Sequence, residues 1–162
     1  TTGVGTGRYQ LAAASYGGDK AIFGYGGTGS NVSITNLVSN SGVVATDTTG
    51  VGTARLLLAA ASYGTDKAIF GYGFTGSRVS MTNLVSSSGV VAADVTGVGT
   101  GRNGLKATNY GGDKAVFAYG NDSSGRTSVK NLVNNSGVVA ADVTGVGTAR
   151  EDLAAAGYSL SA

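Results

Sequence analysis

The sequence predicts an all-β protein, a β-propeller-like array of four-stranded antiparallel blades, and three observations carry that expectation. The segment Gly3-Val4-Gly5-Thr6-Gly7-Arg8 recurs at 50–55, 97–102 and 145–150, with spacings of 47, 47 and 48 residues. A period of that length belongs to propellers and repeat arrays. Within each unit the apolar segments are short and are divided by clusters rich in Gly, Ser and Asn, residues that turn the chain locally. The composition, finally, is 41% apolar and only 12% charged, so the chain can bury a core despite its 29 glycines.

The whole chain, 1–162, reads as a single repeat domain with units at 3–49, 50–96 and 97–144 and a partial unit at 145–162. The first two units differ at only 10 of 47 positions, and the third gains one residue in Asn121-Asp122-Ser123-Ser124-Gly125. In unit one the expected strands are Leu11–Tyr16, Ala21–Tyr25, Val32–Val38 and Val43–Ala45, separated by Gly17-Gly18-Asp19, Gly26–Ser30 and Ser39–Gly42. Val32-Ser33-Ile34-Thr35 alternates with the period of a half-buried strand. Leu11-Ala12-Ala13-Ala14 has helical propensity. The space between Arg8 and the turn at Gly17 is nevertheless too short for a stable helix. Small side chains also suit an innermost strand where blades converge, so this segment is read as the first strand.

Several function classes drop out on composition. The chain has no His and no Cys, which removes most metal sites, thiol chemistry and Ser-His-Asp hydrolysis. The expectation is therefore a protein that is not an enzyme and uses no cofactor. Net charge is +2 with Lys and Arg scattered singly, unlike the basic stripe that nucleic acid demands. The longest aliphatic run, Leu56–Ala61, is far too short for a helical membrane span. Glycine loops such as Gly3–Gly7 occur four times with no helix to follow, so they read as crossings between blades and not as dinucleotide loops. The Asn121–Gly125 stretch lacks the spaced acids of a calcium loop.

The order Arg, small-residue strand, then Asp-Lys-Ala-Ile-Phe-Gly-Tyr-Gly resembles a kelch-type propeller blade. Arg8, Arg55, Arg102 and Arg150 match the arginine that precedes the first strand of a kelch blade. Gly24-Tyr25-Gly26 and Gly71-Tyr72-Gly73 approximate its glycine pair, with Tyr between the glycines, and unit three has Ala118-Tyr119-Gly120. The repeat as a whole is also similar to tandem repeats in structural proteins of phages and other viruses, in tail-fibre or head appendages. That resemblance implies a structural, adhesive component of a virion or extracellular surface. It would assemble as a homo-oligomer or with other appendage proteins, with a host glycan or surface protein as a further contact. The alternative is a lectin-type propeller module that binds one carbohydrate per blade.

Two sets of residues stand out as candidate sites. Asp47, Asp94 and Asp142 each precede the next unit's arginine by eight residues, suggesting inter-blade pairs with Arg55, Arg102 and Arg150. The competing role, acid–base work by paired carboxylates, needs two acids in close approach. The second set lies where the units disagree: Tyr9 and Gln10, Leu56 and Leu57, and Asn103 before the first strand. Between strands two and three the same set continues with Asn31, Phe74 and Arg78, and Asn121, Asp122 and Arg126. In a four-stranded blade these two loops emerge on one face. Variable loops on a rigid sheet commonly carry recognition, and neutral drift of exposed loops stands beside that reading. Closure is the last expectation. Propellers need ~4–8 blades, so three units and one further strand should form a ring only with other copies or further sequence, and not a stable monomer.

Overall fold

A computed structural model describes residues 4–157; Gly3 of the first glycine segment and the 158–162 tail of the partial unit lie outside the described residues. The described residues are all β, with eleven strands and no helix. Unit one forms β1 (Ala12–Tyr16), β2 (Lys20–Gly24) and β3 (Thr35–Val38). Unit two repeats this as β4 (Ala59–Tyr63), β5 (Lys67–Gly71) and β6 (Thr82–Val85). Unit three has β7 (Lys106–Tyr110), β8 (Lys114–Ala118), a short hairpin β9 (Asn121–Asp122) and β10 (Gly125–Arg126), then β11 (Lys130–Val133). Each unit is an antiparallel three-stranded sheet with the middle strand at its centre. Ala14 faces Ile22 and Ile22 faces Leu37, and the same register recurs as Ala61–Ile69–Leu84. The Ala-rich segments of units one and two are thus strands, as their length requires, whereas the expected first strand of the partial unit does not form over Leu153–Gly157.

Two expected elements differ. Val32–Ile34 does not join the third strand, which starts at Thr35. The fourth strand is reduced to isolated bridges from Val44 to Val38 and from Thr48 to Thr35. The reason lies in the Asn36 side chain, whose Nδ2 donates to the Ala45 carbonyl at 3.1 Å and to Asp47 Oδ1 at 2.9 Å. A side chain occupies the place that a regular ladder would give to backbone. Asn83 and Asn131 do the same to Ala92 and Ala140.

The core lies between the sheets. One cluster joins Tyr16, Ile22 and Tyr25 of unit one to Leu58, Ala68, Phe70 and Val85 of unit two. A second joins Ala59, Ala61, Tyr63, Ile69 and Tyr72 of unit two to Leu105, Ala115, Phe117 and Val133 of unit three. Alternation along the strands makes this possible: Ile69 serves one face of the central sheet while Phe70 serves the other. Burying each such side chain contributes about 1.5–3 kcal/mol. The first strands of successive units, β1, β4 and β7, lie side by side, whereas β3 and β6 have no comparable contact. At the outer rim an apolar cleft lined by Leu84, Val95, Val98 and Val138 opens between units two and three. The sheets therefore splay outward from their first strands.

Candidate functional site

The residues that recur in every unit meet at the junctions between sheets. Gly24 lies in β2 with ordinary strand backbone, so its lack of a side chain has a packing cause. A Cβ there would meet the ring of Phe70 from the next unit at 2.7 Å, and one at Gly71 would meet Phe117 Cζ at 2.6 Å. Each Phe is fully buried in the socket its neighbour leaves. Beside the socket stands Tyr25 or Tyr72, with ring centroids 5.1 Å from Phe70 and Phe117 respectively. These tyrosines adopt φ near +62° to +63°, left-handed backbone that a side chain adopts only at a cost. The strained turn aims the ring at the next unit, where Arg55 lies over Tyr25 at 4.4 Å and Arg102 over Tyr72 at 4.8 Å. Arg150 repeats the contact over Tyr119 at 4.9 Å. Burial pushes the Tyr72 phenol up to about 12, although the Arg102 charge works the other way. Its hydroxyl donates to the Val98 carbonyl at 3.2 Å.

The arginines are anchored within their own units. Arg55 donates through Nε to the Tyr72 carbonyl at 2.8 Å and through a terminal nitrogen to Asn83 Oδ1 at 2.7 Å. Asn83 passes the connection on to Asp94 Oδ1 at 2.9 Å. Asp94 also accepts the Thr53 amide at 3.0 Å and the Thr53 hydroxyl at 2.6 Å. The same latch runs Arg8–Asn36–Asp47–Thr6 in unit one and Arg102–Asn131–Asp142–Thr100 in unit three. Asp47 is held below the usual carboxylate range mainly by the Thr6 and Asn36 hydrogen bonds. For Asp94 and Asp142 partial desolvation opposes ionisation, and the Thr and Asn hydrogen bonds together outweigh it, so both are also lowered. Burial lowers the arginines from their ordinary value.

This corrects the expected inter-blade ion pairs. Asp47, Asp94 and Asp142 do not pair with Arg55, Arg102 and Arg150; each closes its own unit through Thr and Asn, and the following arginine crosses the junction onto a tyrosine ring. Among the described residues the only ion pairs are Lys114–Asp113 at 3.3 Å and Arg126–Glu151 at 3.0 Å. The sequence reading missed Asn36, Asn83 and Asn131, whose signal was a polar residue recurring inside the third strand of every unit. It also took Tyr25 and Tyr72 as interruptions of a glycine pair when they are the junction's aromatic platform.

The variable residues of each unit are joined by isolated bridges. Tyr9 bridges Gly27 and Gly27 bridges Asn31; Leu56, Phe74 and Arg78 repeat the arrangement, and Asn103 bridges Asn121. Arg126 sits opposite Asn121 in the β9–β10 hairpin, and Asp122 Oδ1 accepts the Ser124 amide at 2.7 Å. Gln10 and Leu57 have φ near +53° and +56°. Their backbones join the units: Leu57 N donates to Gln10 O and Gly104 N to Leu57 O, both at 3.0 Å. Tyr9 is 52% exposed, whereas Gln10, Leu57, Asn31, Phe74, Arg78, Asn103, Asn121 and Arg126 each bond to an adjacent unit.

A stack of antiparallel sheets built on one repeated unit is the class of fold these contacts define. The fold is similar to that of a solved structure, YjhT, at a TM-score of 0.62 and 13% identity over 83% of this chain. At that identity the likeness concerns the fold alone, and the chain spans 44% of the YjhT chain. No protein-family model and no curated protein matches the sequence.

Proposed function

We propose that the chain is a non-enzymatic structural and adhesive component of a virion or surface appendage, an arc of β-propeller blades that acts by assembling. The observation that carries this reading is the repeated junction, in which a Phe socket and an Arg–Tyr stack join one unit to the next. Phe23 occupies the position of Phe70 and Phe117, which are fully buried, yet it is 39% exposed, beside a shallow groove lined by Val4, Leu11 and Val44. Among the described residues that ring keeps the position by which its counterparts pack against a preceding unit, and the splay of the sheets about β1, β4 and β7 supports an arc that further units would continue. Those units come from other copies of the chain or from additional repeats. The carboxylates that could have served as acids or bases are engaged in the Thr–Asn latches, which supports a scaffold in preference to a catalyst. The placement on a virion or extracellular surface rests on the likeness of the repeat to appendage proteins. Light scattering on the isolated chain tests the assembly reading: oligomers are expected, with ring-shaped particles in electron micrographs. A cooperatively folded monomer at micromolar concentration would overturn the arc, and a glycan array separates adhesion from assembly alone.

A further inference from the structure

The contacts shared by the first two junctions do not tell unit one from unit two. At both, a Phe sits in a Gly socket, an Arg lies over a Tyr, and the amide of Gly26 or Gly73 donates to the Arg55 or Arg102 carbonyl, so units one and two offer the same surface to whatever unit follows. For a chain whose first two units differ at 10 of 47 positions, that is a hazard of misassembly, since near-identical units can pair out of order.

The differences fall where they can act against this. Asn31, Arg78 and Arg126 occupy one repeat position, and each reaches across a junction to the rim of the next unit. Asn31 is short and donates only to the Phe74 backbone carbonyl at 3.0 Å, beside the bridged pair Leu56 and Phe74. Arg78 faces the same two positions in unit three, now both amides. It donates to Asn121 Oδ1 at 2.7 Å and Asn103 Oδ1 at 3.3 Å. At the last junction Arg126 meets a carboxylate, with Nε 3.0 Å from Glu151 Oε1, while Asn121 Nδ2 donates to the other oxygen at 2.9 Å. The reaching side chain and the rim it meets change together: small polar with apolar, guanidinium with two amides, guanidinium with carboxylate.

We propose that these variable residues form a recognition surface between units, in which the side chain at position 31, 78 or 126 is matched to the rim residues of the unit that follows it, so that each junction selects its own neighbour. The partner of this surface is the adjacent repeat. The inference holds whether or not the array closes into a ring.

Transplanting one junction onto another in the full chain tests it. Asn31→Arg alone sets a guanidinium against Leu56 and Phe74, whose side chains offer no acceptor. Leu56→Asn with Phe74→Asn leaves two amides facing the short Asn31. The triple variant reproduces the chemistry between units two and three. In urea denaturation both partial variants should lower the folding equilibrium constant. The triple should be about tenfold more stable than the product of their separate losses predicts, as coupled neighbours are. If the losses simply multiply, within about twofold, or if the triple folds no better than its parents, the positions are independent and the proposal fails. A second cycle, Arg126→Gln with Glu151→Gln, should show the same sign of coupling and should weaken in high salt.

Discussion

Adding one methyl group at Gly71 should loosen the junction between units two and three. Gly71 has strand backbone, so Gly→Ala would ordinarily stabilise by ~0.4–1 kcal/mol through the unfolded chain. Here the new Cβ would stand 2.6, 2.9 and 3.2 Å from three ring carbons of Phe117, against an unstrained carbon contact of about 3.5–4 Å. The ring must retreat by about 1 Å, and it is fully buried among Ile69, Tyr72 and Val133. Overpacking of this kind costs ~1–3 kcal/mol, leaving a net loss of about 1–2 kcal/mol for Gly71→Ala. At a typical urea slope the midpoint then falls by roughly 0.5–1 M. Unit three supplies the control: its equivalent residue is Ala118, and no Phe from a following unit faces it among the described residues. Combining Gly71→Ala with Phe117→Leu should relieve the clash, so the double variant should be no less stable than Phe117→Leu alone. A midpoint for Gly71→Ala at or above that of the natural chain, or strictly additive losses, would refute the socket.

Further outcomes follow from the latches and the turns. The carboxyls of Asp47, Asp94 and Asp142 sit below the usual range in the fold, so their stabilisation is present above the unfolded value of ~3.9 and is lost as pH falls through the lowered one; acid denaturation should steepen below about pH 4 and flatten in Asp94→Asn. Thr53→Val removes the 2.6 Å hydroxyl bond and should raise the Asp94 titration midpoint seen by NMR. Tyr72, pushed up to about 12, contributes stability that is full below ~10 and is lost as pH rises towards its folded value. Tyr72→Phe should remove part of that alkaline loss and cost ~0.5–1.5 kcal/mol at neutral pH for the bond to Val98. Gly104, at φ +61°, should tolerate Asn better than Ala, with Gly104→Ala costing ~1–2 kcal/mol in thermal or urea denaturation.

The repeat, the all-β class and the extended character of the Ala-rich segments were legible in the sequence because period and segment length are one-dimensional quantities. What escaped were relationships that need the third dimension. Eight residues separate Asp47 from Arg55 along the chain, and opposite charges at such a spacing invite pairing; in space the carboxylate turns back to Thr6, 41 residues earlier. Nothing local reveals that return. The fourth strand failed for a related reason, since a run such as Val43–Ala45 looks like a strand whether its carbonyl partner is a backbone amide or the Asn36 side chain. The variable residues were singled out because the units disagree there. That many of them touch the neighbouring unit while staying open to solvent could be learned only from the junctions themselves.

The Asn side chains that interrupt the fourth segment have a consequence for the behaviour of the molecule in a crowded solution. A chain with 29 glycines, 12% charged residues and many short apolar segments is of the kind that adds strand to strand and grows into fibrils. A straight outer edge on each sheet would offer a template for that growth. Asn36, Asn83 and Asn131 pull the outermost backbone out of regular spacing in all three units, and the Asp–Thr contacts fold the remainder back onto the sheet. What borders the solvent is a bent, side-chain-tethered margin that presents no continuous row of donors and acceptors to a passing strand. Disorderly growth along the rim is thereby suppressed.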